Sequence, residues 1–208
     1  MAKETTEFTG LLKPHYNDAL KYSRALCSTW SPDDAEDVLQ QSLLLALENF
    51  DKLNDRTKFR SWFFKIITTT FYSSIRKHFW KKFVPLDSMD SLPHIPEVYD
   101  RSQQTECRII LNRALSKLNS KERAAILLFE IADFSIDEIT SIQQEKSISA
   151  VKSRLSRARA KLKKHILKEE EHYSRHGSSG INKPESSDYT EDLEFETIKL
   201  IPEIRVER

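Results

Sequence analysis

The sequence predicts an all-α protein made of two small helical domains. Only three glycines occur in 208 residues, and two of them, Gly177 and Gly180, lie near the C-terminus. This scarcity disfavours hairpin-rich folds and glycine-dependent phosphate loops. Apolar residues recur at helical spacing over most of the chain, and a proline-containing segment interrupts that pattern near its middle. The interruption divides the chain into two helical parts.

The first domain, residues 1–82, is predicted to contain three long helices. The first follows the apolar spacing from Phe8 to Leu26. The second begins at SPDD, where Ser31 suits the N-cap and Pro32 the first helical position, and continues through DAEDVLQQSLLLALENF. The third covers FRSWFFKIITTTFYSSIRKHFWKK, where helical periodicity outweighs the β-branched run IITTT.

A linker and a second domain are predicted to follow. The segment FVPLDSMDSLPHIPEVYD has three prolines, four acidic residues and no clear period, which indicates an extended linker at 83–102. The second domain contains four predicted helical segments, at about 103–118, 121–132, 136–144 and 148–168. The sequence SIDE predicts a capping box between Ser135 and Glu138. A short helix, a polar turn and a basic helix together predict a helix-turn-helix.

Residues 169–208 are predicted to form a short C-terminal extension whose structure the pattern does not define. The extension has 11 acidic and 5 basic residues, a net charge of −6, so the body keeps 28 basic and 21 acidic residues, a net of +7. Apolar residues alternate near its end, as in a strand. A basic body with an acidic tail is typical of nucleic-acid binders, and a purely solubilising tail is the alternative.

The last predicted helix is strongly basic on one side. Its sequence SISAVKSRLSRARAKLKKH holds seven Lys or Arg residues and no Asp or Glu. An apolar stripe runs along the other side, formed by Val151, Leu155, Ala158, Leu162 and Ile166. Such a helix fits the major groove of DNA, with early residues at base edges and later cations at phosphates. A solvated charged face is the alternative, which the lack of an acidic partner in the segment weakens.

Two further surfaces are predicted in the first domain. Basic and aromatic residues interleave along its third helix, a pattern that suits single-stranded nucleic acid because bases stack and phosphates pair. Core packing is the alternative for each of these aromatics. On the second helix, Leu47 belongs to the predicted inner stripe, whereas Leu44 and Leu45 extend it outward. The outward leucines lie beside Asp37, Gln40 and Gln41, which predicts a partner-docking face. A fully buried helix is the alternative there.

Together these segments resemble the bacterial RNA polymerase sigma factors of the sigma-70 family, extracytoplasmic-function (ECF) type. DAEDVLQQSLLLALENFDKL is similar to the core-polymerase-binding helix, and KFRSWFFKIITTTFYSSIRKH to the segment that melts and reads the −10 element. The helix-turn-helix, with AVKSRLSRARAKL, is similar to the −35-reading domain. The resemblance covers roughly 8–168. It implies a factor that binds core polymerase, directs promoter-specific initiation and helps to melt promoter DNA.

The resemblance also implies specific site residues and partners. The residues expected to dock on the β′ clamp helices of the polymerase are Asp37, Gln40, Gln41 and Leu44. Those expected to hold the melted −10 DNA and the adjacent duplex are Arg60, Trp62, Lys65, Arg76 and Lys77. Those expected to read the −35 element are Lys152, Ser153, Ser156, Arg157 and Arg159. The loop 50–59 would receive a flipped base, and the acidic linker would follow the RNA path. The polymerase β flap and an anti-sigma factor are the further expected partners.

The turn of the helix-turn-helix departs from the family pattern. The segment IQQEKSIS has no glycine and is a residue longer than usual, which predicts a shifted angle for the recognition helix. The acidic extension predicts autoinhibition, so that removing 170–208 would raise promoter binding. The alternatives are a helix-turn-helix regulator that acts without polymerase and a sigma mimic that sequesters an anti-sigma factor.

An enzyme is the remaining class, and the sequence gives it little support. No Ser/His/Asp arrangement or glycine-loop motif is present. Glu169, His172 and His176 could share one helical face and bind a metal, with a solvated tail as the alternative. We therefore expect no catalytic residues and no cofactor. Cys27 and Cys107 lie far apart and no apolar run is long enough for a bilayer, so we expect a cytoplasmic protein without membrane insertion.

Overall fold

The computed structural model describes residues 2–28, 30, 32–83 and 106–175. Within these residues all regular secondary structure is helical, which confirms the predicted fold class. The α-helices are α1 (Ala2–Leu12), α2 (Tyr16–Leu26), α3 (Pro32–Glu48), α4 (Phe59–Phe83), α5 (Glu106–Ser116), α6 (Ser120–Glu130), α7 (Ile136–Ile142) and α8 (Ile148–Arg175). Short 3₁₀ helices lie at Lys13–His15, Phe50–Lys52 and Arg56–Lys58. None of the described helices has the length and apolar composition needed to cross a membrane.

The first predicted helix is divided into α1 and α2. Pro14 lies in the 3₁₀ turn Lys13–His15 between them. Proline has no amide hydrogen and its ring clashes with the preceding turn, so a continuous α-helix cannot pass through this position undisturbed. The single helix predicted from Phe8 to Leu26 is therefore wrong in its continuity.

Local sequence signals account for the start of α3, and α4 continues through a segment whose β-branched residues disfavour helix. Pro32 is the first residue of α3, and Asp33 and Asp34 lie in its first turn, where their charge complements the helix dipole. The predicted N-cap, Ser31, lies outside the described residues. Helix α4 runs through the β-branched segment without a break, and the hydroxyl of Thr68 donates to the carbonyl of Phe64 at 2.7 Å.

Two capping boxes fix the starts of α6 and α7. The predicted box is confirmed, because the Ser135 amide donates to Glu138 Oε2 at 2.9 Å and the Glu138 amide donates back to the Ser135 hydroxyl. The second box was not predicted. In it the Asn119 side chain accepts from the Glu122 amide at 2.8 Å, and Glu122 Oε2 accepts from the Asn119 amide at 3.1 Å. Each box satisfies amides that the first helical turn leaves without partners.

The ends of the predicted domains fall partly beyond the described structure. Only the first residue of the predicted linker at 83–102 is described. The strand-like end of the predicted extension also lies outside the described residues. Helix α8 continues to Arg175, beyond the predicted helix end at 168.

One continuous hydrophobic core joins the two predicted domains. In the first domain, α2, α3 and α4 pack together, and in the second, α5, α6 and α7 pack on α8. Helix α2 also packs on α6, and α4 packs on α7. The largest fully buried side chains are Tyr22, Phe59, Phe63, Phe64, Phe71, Phe134, Leu26, Ile67, Leu115, Ile126, Leu127 and Leu128. The two helical parts therefore form one closed body.

Candidate nucleic-acid interface

Helix α8 has one buried side and one exposed side, as predicted. Its buried stripe contains the predicted residues Val151, Leu155, Ala158, Leu162 and Ile166, which pack against α5, α6 and α7. Since side chains four and three positions apart share a helical face, this stripe fixes which residues point away from the domain. The exposed side of the N-terminal half is therefore held rigidly outward.

The residues predicted to read the −35 element have different surroundings. Lys152, Ser153, Ser156 and Arg157 are exposed on the outward side of α8. Arg159 is half-exposed, and its guanidinium donates to Glu130 Oε1 at 2.7 and 3.0 Å. It also lies 4.9 Å from the centre of the Phe129 ring. Four of the five predicted residues thus form an open face, and Arg159 is held at its edge.

Acidic residues from other elements pair with several cations of α8. Arg154 is buried and contacts Glu145 at 2.8 Å, and Lys161 contacts Glu122 at 2.8 Å. The α8 segment contains no acidic residue, but acidic residues elsewhere in the fold still pair with some of its cations. The sequence analysis treated the lack of acids in the segment as evidence against a solvated charged face, and this step is corrected. Among the described residues no ion pair involves Lys152 or Arg157, although the charge of Arg157 helps to lower the pKa of Glu122. Both side chains can therefore turn to phosphate or base edges.

Two of the pairing carboxyl groups are strongly held. Burial of Glu122 opposes its ionisation, but the hydrogen bonds from Lys161 and the Asn119 amide outweigh burial and lower its pKa. Burial also opposes ionisation of Glu145, and the hydrogen bonds from Lys121 and Arg154 again lower the pKa. Both carboxylates therefore stay charged at neutral pH and fix α8 against the first turn of α6 and the turn before α8.

The turn without glycine is closed by a standard helix-ending motif. The Glu145 amide donates to the Thr140 carbonyl at 2.9 Å, and the Gln144 amide donates to the Ser141 carbonyl at 3.3 Å. This is the Schellman pattern, in which the residue after the C-cap takes the left-handed conformation that glycine favours. Gln144 occupies that position with a φ of 54°. The turn therefore keeps a common geometry although its sequence departs from the family pattern.

Helix α3 presents a continuous exposed face. The predicted docking residues Asp37, Gln40, Gln41 and Leu44 are all exposed, and their spacing of three and four places them on one side of the helix. Leu44 is 56% exposed. Leu45, predicted to face outward, is half-buried, whereas Leu47, predicted for the inner stripe, is 42% exposed and extends the same face by one turn. Two adjacent exposed leucines bordered by amides and carboxylates are typical of a protein-docking surface.

The residues predicted to hold −10 DNA lie along α4 with unequal exposure. Arg76 and Lys77 are exposed, whereas Trp62 and Lys65 are half-buried. Arg60 is also half-buried, and its Nη2 donates to the carbonyl of Ala132 in the second domain. The predicted set therefore lies on one helix, and its N-terminal member contacts the other domain.

Most aromatics of α4 belong to the core. Phe63, Phe64 and Phe71 are fully buried, and Trp62 and Tyr72 pack partly against them. The alternative of core packing is thus the correct one for these phenylalanines. Trp62 is the aromatic residue in the predicted set of DNA contacts, and part of its surface is exposed. It can therefore still contact DNA.

Arg56 organises the loop 50–59, and sequence reasoning missed it. Its guanidinium lies 3.9 Å from the Phe50 ring centre and donates to the carbonyls of Phe50 and Leu53. It also pairs with Glu7 of α1 at 2.9 Å. The Asp55 side chain accepts from the Thr57 amide at 3.0 Å, which caps the following 3₁₀ turn. The loop is therefore preformed around one arginine, and no local pattern marks that role.

The predicted metal site and the predicted inhibitory tail both extend beyond the residues that the structure describes. Within the described residues no group of His, Cys, Asp or Glu has a metal-binding arrangement. His176 lies outside those residues, and so does nearly all of the segment 170–208 that was expected to inhibit the protein.

A helix-turn-helix with an exposed, partly unpaired basic face defines a DNA-binding protein. Two family descriptions match the chain: Sigma-70 region 2 at residues 11–81 and Sigma-70, region 4 at residues 108–162. The ECF RNA polymerase sigma factor SigM of Mycobacterium tuberculosis is 28% identical over 162 residues, 78% of each chain. The RNA polymerase sigma factor YlaC of Bacillus subtilis is 26% identical, over 81% of this chain and 97% of its own.

Solved structures give the same result. The sigma factor RpoE of Bartonella quintana, in complex with the anti-sigma factor NepR, matches with a TM-score of 0.60 and 27% identity, over 78% of this chain and 97% of that one. CnrH in complex with the cytosolic domain of CnrY shares the fold, with a TM-score of 0.53 and 22% identity. The chain belongs to the sigma-70 family of RNA polymerase sigma factors, in its ECF group. It is accordingly a transcription initiation factor that directs RNA polymerase to promoters.

Proposed function

We propose that each of the three exposed surfaces has one role in promoter recognition. The α3 face, defined by Asp37, Gln40, Gln41 and Leu44, docks on the β′ clamp helices of core polymerase. The residues that hold the melted −10 DNA are Arg60, Trp62, Lys65, Arg76 and Lys77 of α4. The outward side of α8 reads the −35 element. The corresponding units are a core-binding and −10 domain at 1–82, a linker at 83–102, a −35 domain at 103–168 and an extension at 169–208.

The open face of α8 is the observation that carries this proposal most directly. Lys152 and Arg157 flank Ser153 and Ser156 on the side opposite the buried stripe. Basic side chains suit guanine edges and phosphates, and short serines let the helix approach the groove closely. The same helix cannot rotate without exposing its apolar stripe to water, so this face is the one offered to DNA.

Two further roles follow from the same proposal. An anti-sigma factor regulates this chain, which the complexes formed by the sigma factors RpoE and CnrH support. The protein contributes binding energy and positioning to initiation and performs no chemistry itself. It works in the cytoplasm, because core RNA polymerase and the bacterial chromosome are there.

The deciding experiment is run-off transcription with core polymerase and a library of genomic promoter fragments. We expect specific initiation by the full chain and an activity roughly a hundredfold lower for Lys152→Glu with Arg157→Glu, because each lost base or phosphate contact costs about 1–3 kcal/mol. The matched control is Lys13→Glu with Lys117→Glu, which makes the same charge change at exposed lysines outside the predicted sites. If both double variants lost the same transcription activity, the loss would come from the change in net charge alone. That result would contradict the assignment of Lys152 and Arg157 to the −35 element.

A further inference from the structure

Helix α1 holds both ends of the loop 50–59 through one aromatic side chain. Phe8 is buried, and its ring lies edge-on to the rings of Phe50 and Phe59, with centroid distances of 5.3 and 5.6 Å. Phe50 is the first residue of the loop and Phe59 is the last, and their own ring centroids lie 6.2 Å apart. Edge-on aromatic contacts have a preferred geometry as well as buried area. Phe8 therefore fixes the distance between the two ends of the loop.

The residue before Phe8 reaches the middle of the same loop. Glu7 Oε1 accepts a hydrogen bond from Arg56 Nε at 2.9 Å, in an ion pair that is partly exposed. Both α1 residues precede residue 11, where the match to Sigma-70 region 2 begins. The likeness to that region therefore does not include the α1 residues that contact the loop.

Arg56 transmits the position of Glu7 to the backbone of the loop. Its guanidinium lies 3.9 Å from the Phe50 ring centre, and Nη1 donates to the carbonyls of Phe50, at 2.7 Å, and Leu53. These carbonyls belong to the first 3₁₀ turn of the loop and the residue after it, whereas Arg56 begins the second 3₁₀ turn. Because a guanidinium is planar and rigid, a partner that fixes Nε also fixes the direction of Nη1. Arg56, oriented by α1, thus ties the two turns together.

This tie determines where the exposed part of the loop lies. Asn54 is exposed and follows Leu53, whose carbonyl Arg56 holds. It precedes Asp55, whose side chain accepts from the Thr57 amide at 3.0 Å. Asn54 is thus anchored on both sides in the chain, and its side-chain amide can both donate to and accept from a base edge. Discrimination between bases requires a fixed direction for such a group, because a rotated amide exchanges its donor for its acceptor.

We propose that α1 is a positioning element of the −10 reader: Glu7, acting through Arg56, sets the shape of the loop 50–59 and so its selectivity for the base that it receives. The inference rests on the proposed function, because it takes the loop to be the site of a base flipped from −10 DNA. Arg56 is a positioning residue, since its stacking face and the donors Nε and Nη1 are used within the protein. The exposed amide of Asn54 is the group that Arg56 positions towards the base.

Base discrimination by the assembled holoenzyme tests the proposal. Fluorescein-labelled fork-junction DNAs carry each of the four bases in turn at each single-stranded position of a −10 element, taken from a promoter that the chain uses. Fluorescence anisotropy gives the affinity for each DNA. We expect Glu7→Ala to lower the ratio of affinities between the best and the worst base about fivefold at one position, because a loosely held amide distinguishes bases poorly. The ratios at the other positions should not change.

Three further variants separate positioning from charge and from stability. Glu7→Gln keeps an oxygen that can accept from Arg56 Nε, and it should keep most of the discrimination. Arg56→Lys keeps the charge without the planar fork, and it should lose discrimination at the same position as Glu7→Ala. Glu36→Ala is the matched control, since it removes another exposed ion pair of the first domain, with Arg24, and should change no base ratio.

A second readout reports the order of the loop without DNA. Hydrogen exchange of the amides at 50–59 in the full-length chain should be about tenfold faster in Glu7→Ala and unchanged in Glu36→Ala, because local opening is easier when Arg56 is no longer oriented. In an Arg56→Ala background, Glu7→Ala should add nothing to either readout, since Glu7 then has no guanidinium to orient.

The inference is overturned by unchanged base ratios in Glu7→Ala, whether or not the loop amides exchange faster. An equal loss in Glu36→Ala, or a loss of affinity that is the same for all four bases, would also overturn it, because either result would give Glu7 a general charge or stability role. Failure of the original chain to initiate in run-off transcription would instead overturn the proposed function. The exchange measurement needs no promoter, so the contact between α1 and the loop is tested separately.

Discussion

Gln144 takes a backbone conformation that most residues avoid. Its φ of 54° is left-handed, and a side chain there brings Cβ close to the following carbonyl oxygen. The side chain is exposed, so no packing compensates for the strain. The position closes the turn between α7 and the recognition helix, and so the strain lies within the DNA-reading unit itself.

Gln144→Gly should stabilise the protein. We expect the free energy of unfolding to rise by about 1 kcal/mol, because glycine adopts this conformation without a steric penalty. Urea denaturation of the full chain measures the change. Ala160→Gly, at an exposed position inside α8, is the contrasting control and should lower the free energy of unfolding by about 1 kcal/mol. A loss of stability at position 144 would show that the turn does not hold the left-handed conformation in solution.

At the scale of one element, α3 combines a buried side with an exposed apolar patch. Leu44 and Leu47 keep 56% and 42% of their surface exposed while Val38, Leu39 and Ala46 are buried. An isolated exposed leucine is ordinary, but two on successive turns beside Gln40 and Gln41 form a patch that a partner can cover.

The double variant Leu44→Asp with Leu47→Asp should therefore weaken binding to core polymerase while leaving the free energy of unfolding nearly unchanged. We expect the affinity for core polymerase to fall tenfold or more, since docking leucines lose buried apolar area and gain a desolvated charge. The unfolding free energy should change by less than about 1 kcal/mol, because both side chains are already exposed. Tyr16→Asp alters another exposed large side chain of the same domain and should leave polymerase affinity intact. Fluorescence anisotropy with labelled sigma factor measures the affinity.

The elements themselves could be predicted from local sequence, whereas the contacts between them could not. The stripe of α8 and the box at Ser135 depend on spacings of three and four residues, which the sequence displays directly. Arg60 meets Ala132 across 72 positions, and Arg159 meets Glu130 across 29. No periodicity encodes such pairs, because they depend on how the helices pack. For the same reason the pairing of the α8 cations and the position of Arg56 escaped prediction.

At the scale of the whole molecule, two carboxylates connect the start of α6 and the turn before α8 to the recognition helix. Glu122 and Glu145 have pKa values lowered by their hydrogen-bonded cations despite burial. A carboxyl group with a lower pKa in the folded state stabilises that state above its unfolded pKa. This stabilisation is lost as the pH falls through the folded pKa.

Stability should accordingly decrease in acid. We expect the unfolding free energy of the original chain to decline as the pH falls below the ordinary glutamate value of 4.5. Glu122→Gln should be less stable by about 1–2 kcal/mol at neutral pH and should lose less on acidification, because its ion pair with Lys161 is absent. Glu36→Gln, which removes an exposed pair with Arg24, should keep the original pH dependence. Urea titrations at several pH values provide the comparison.

Glu122 also changes what a genetic screen for promoter-binding mutants would find. One carboxylate caps α6 through Asn119 and anchors Lys161 of the recognition helix, yet it lies on the inner side of the domain. Substitutions there should reduce promoter use as severely as substitutions at the DNA surface, and second-site suppressors should map to the core and not to the promoter. The set of residues that genetics would label as DNA-binding is thus larger than the set that touches DNA.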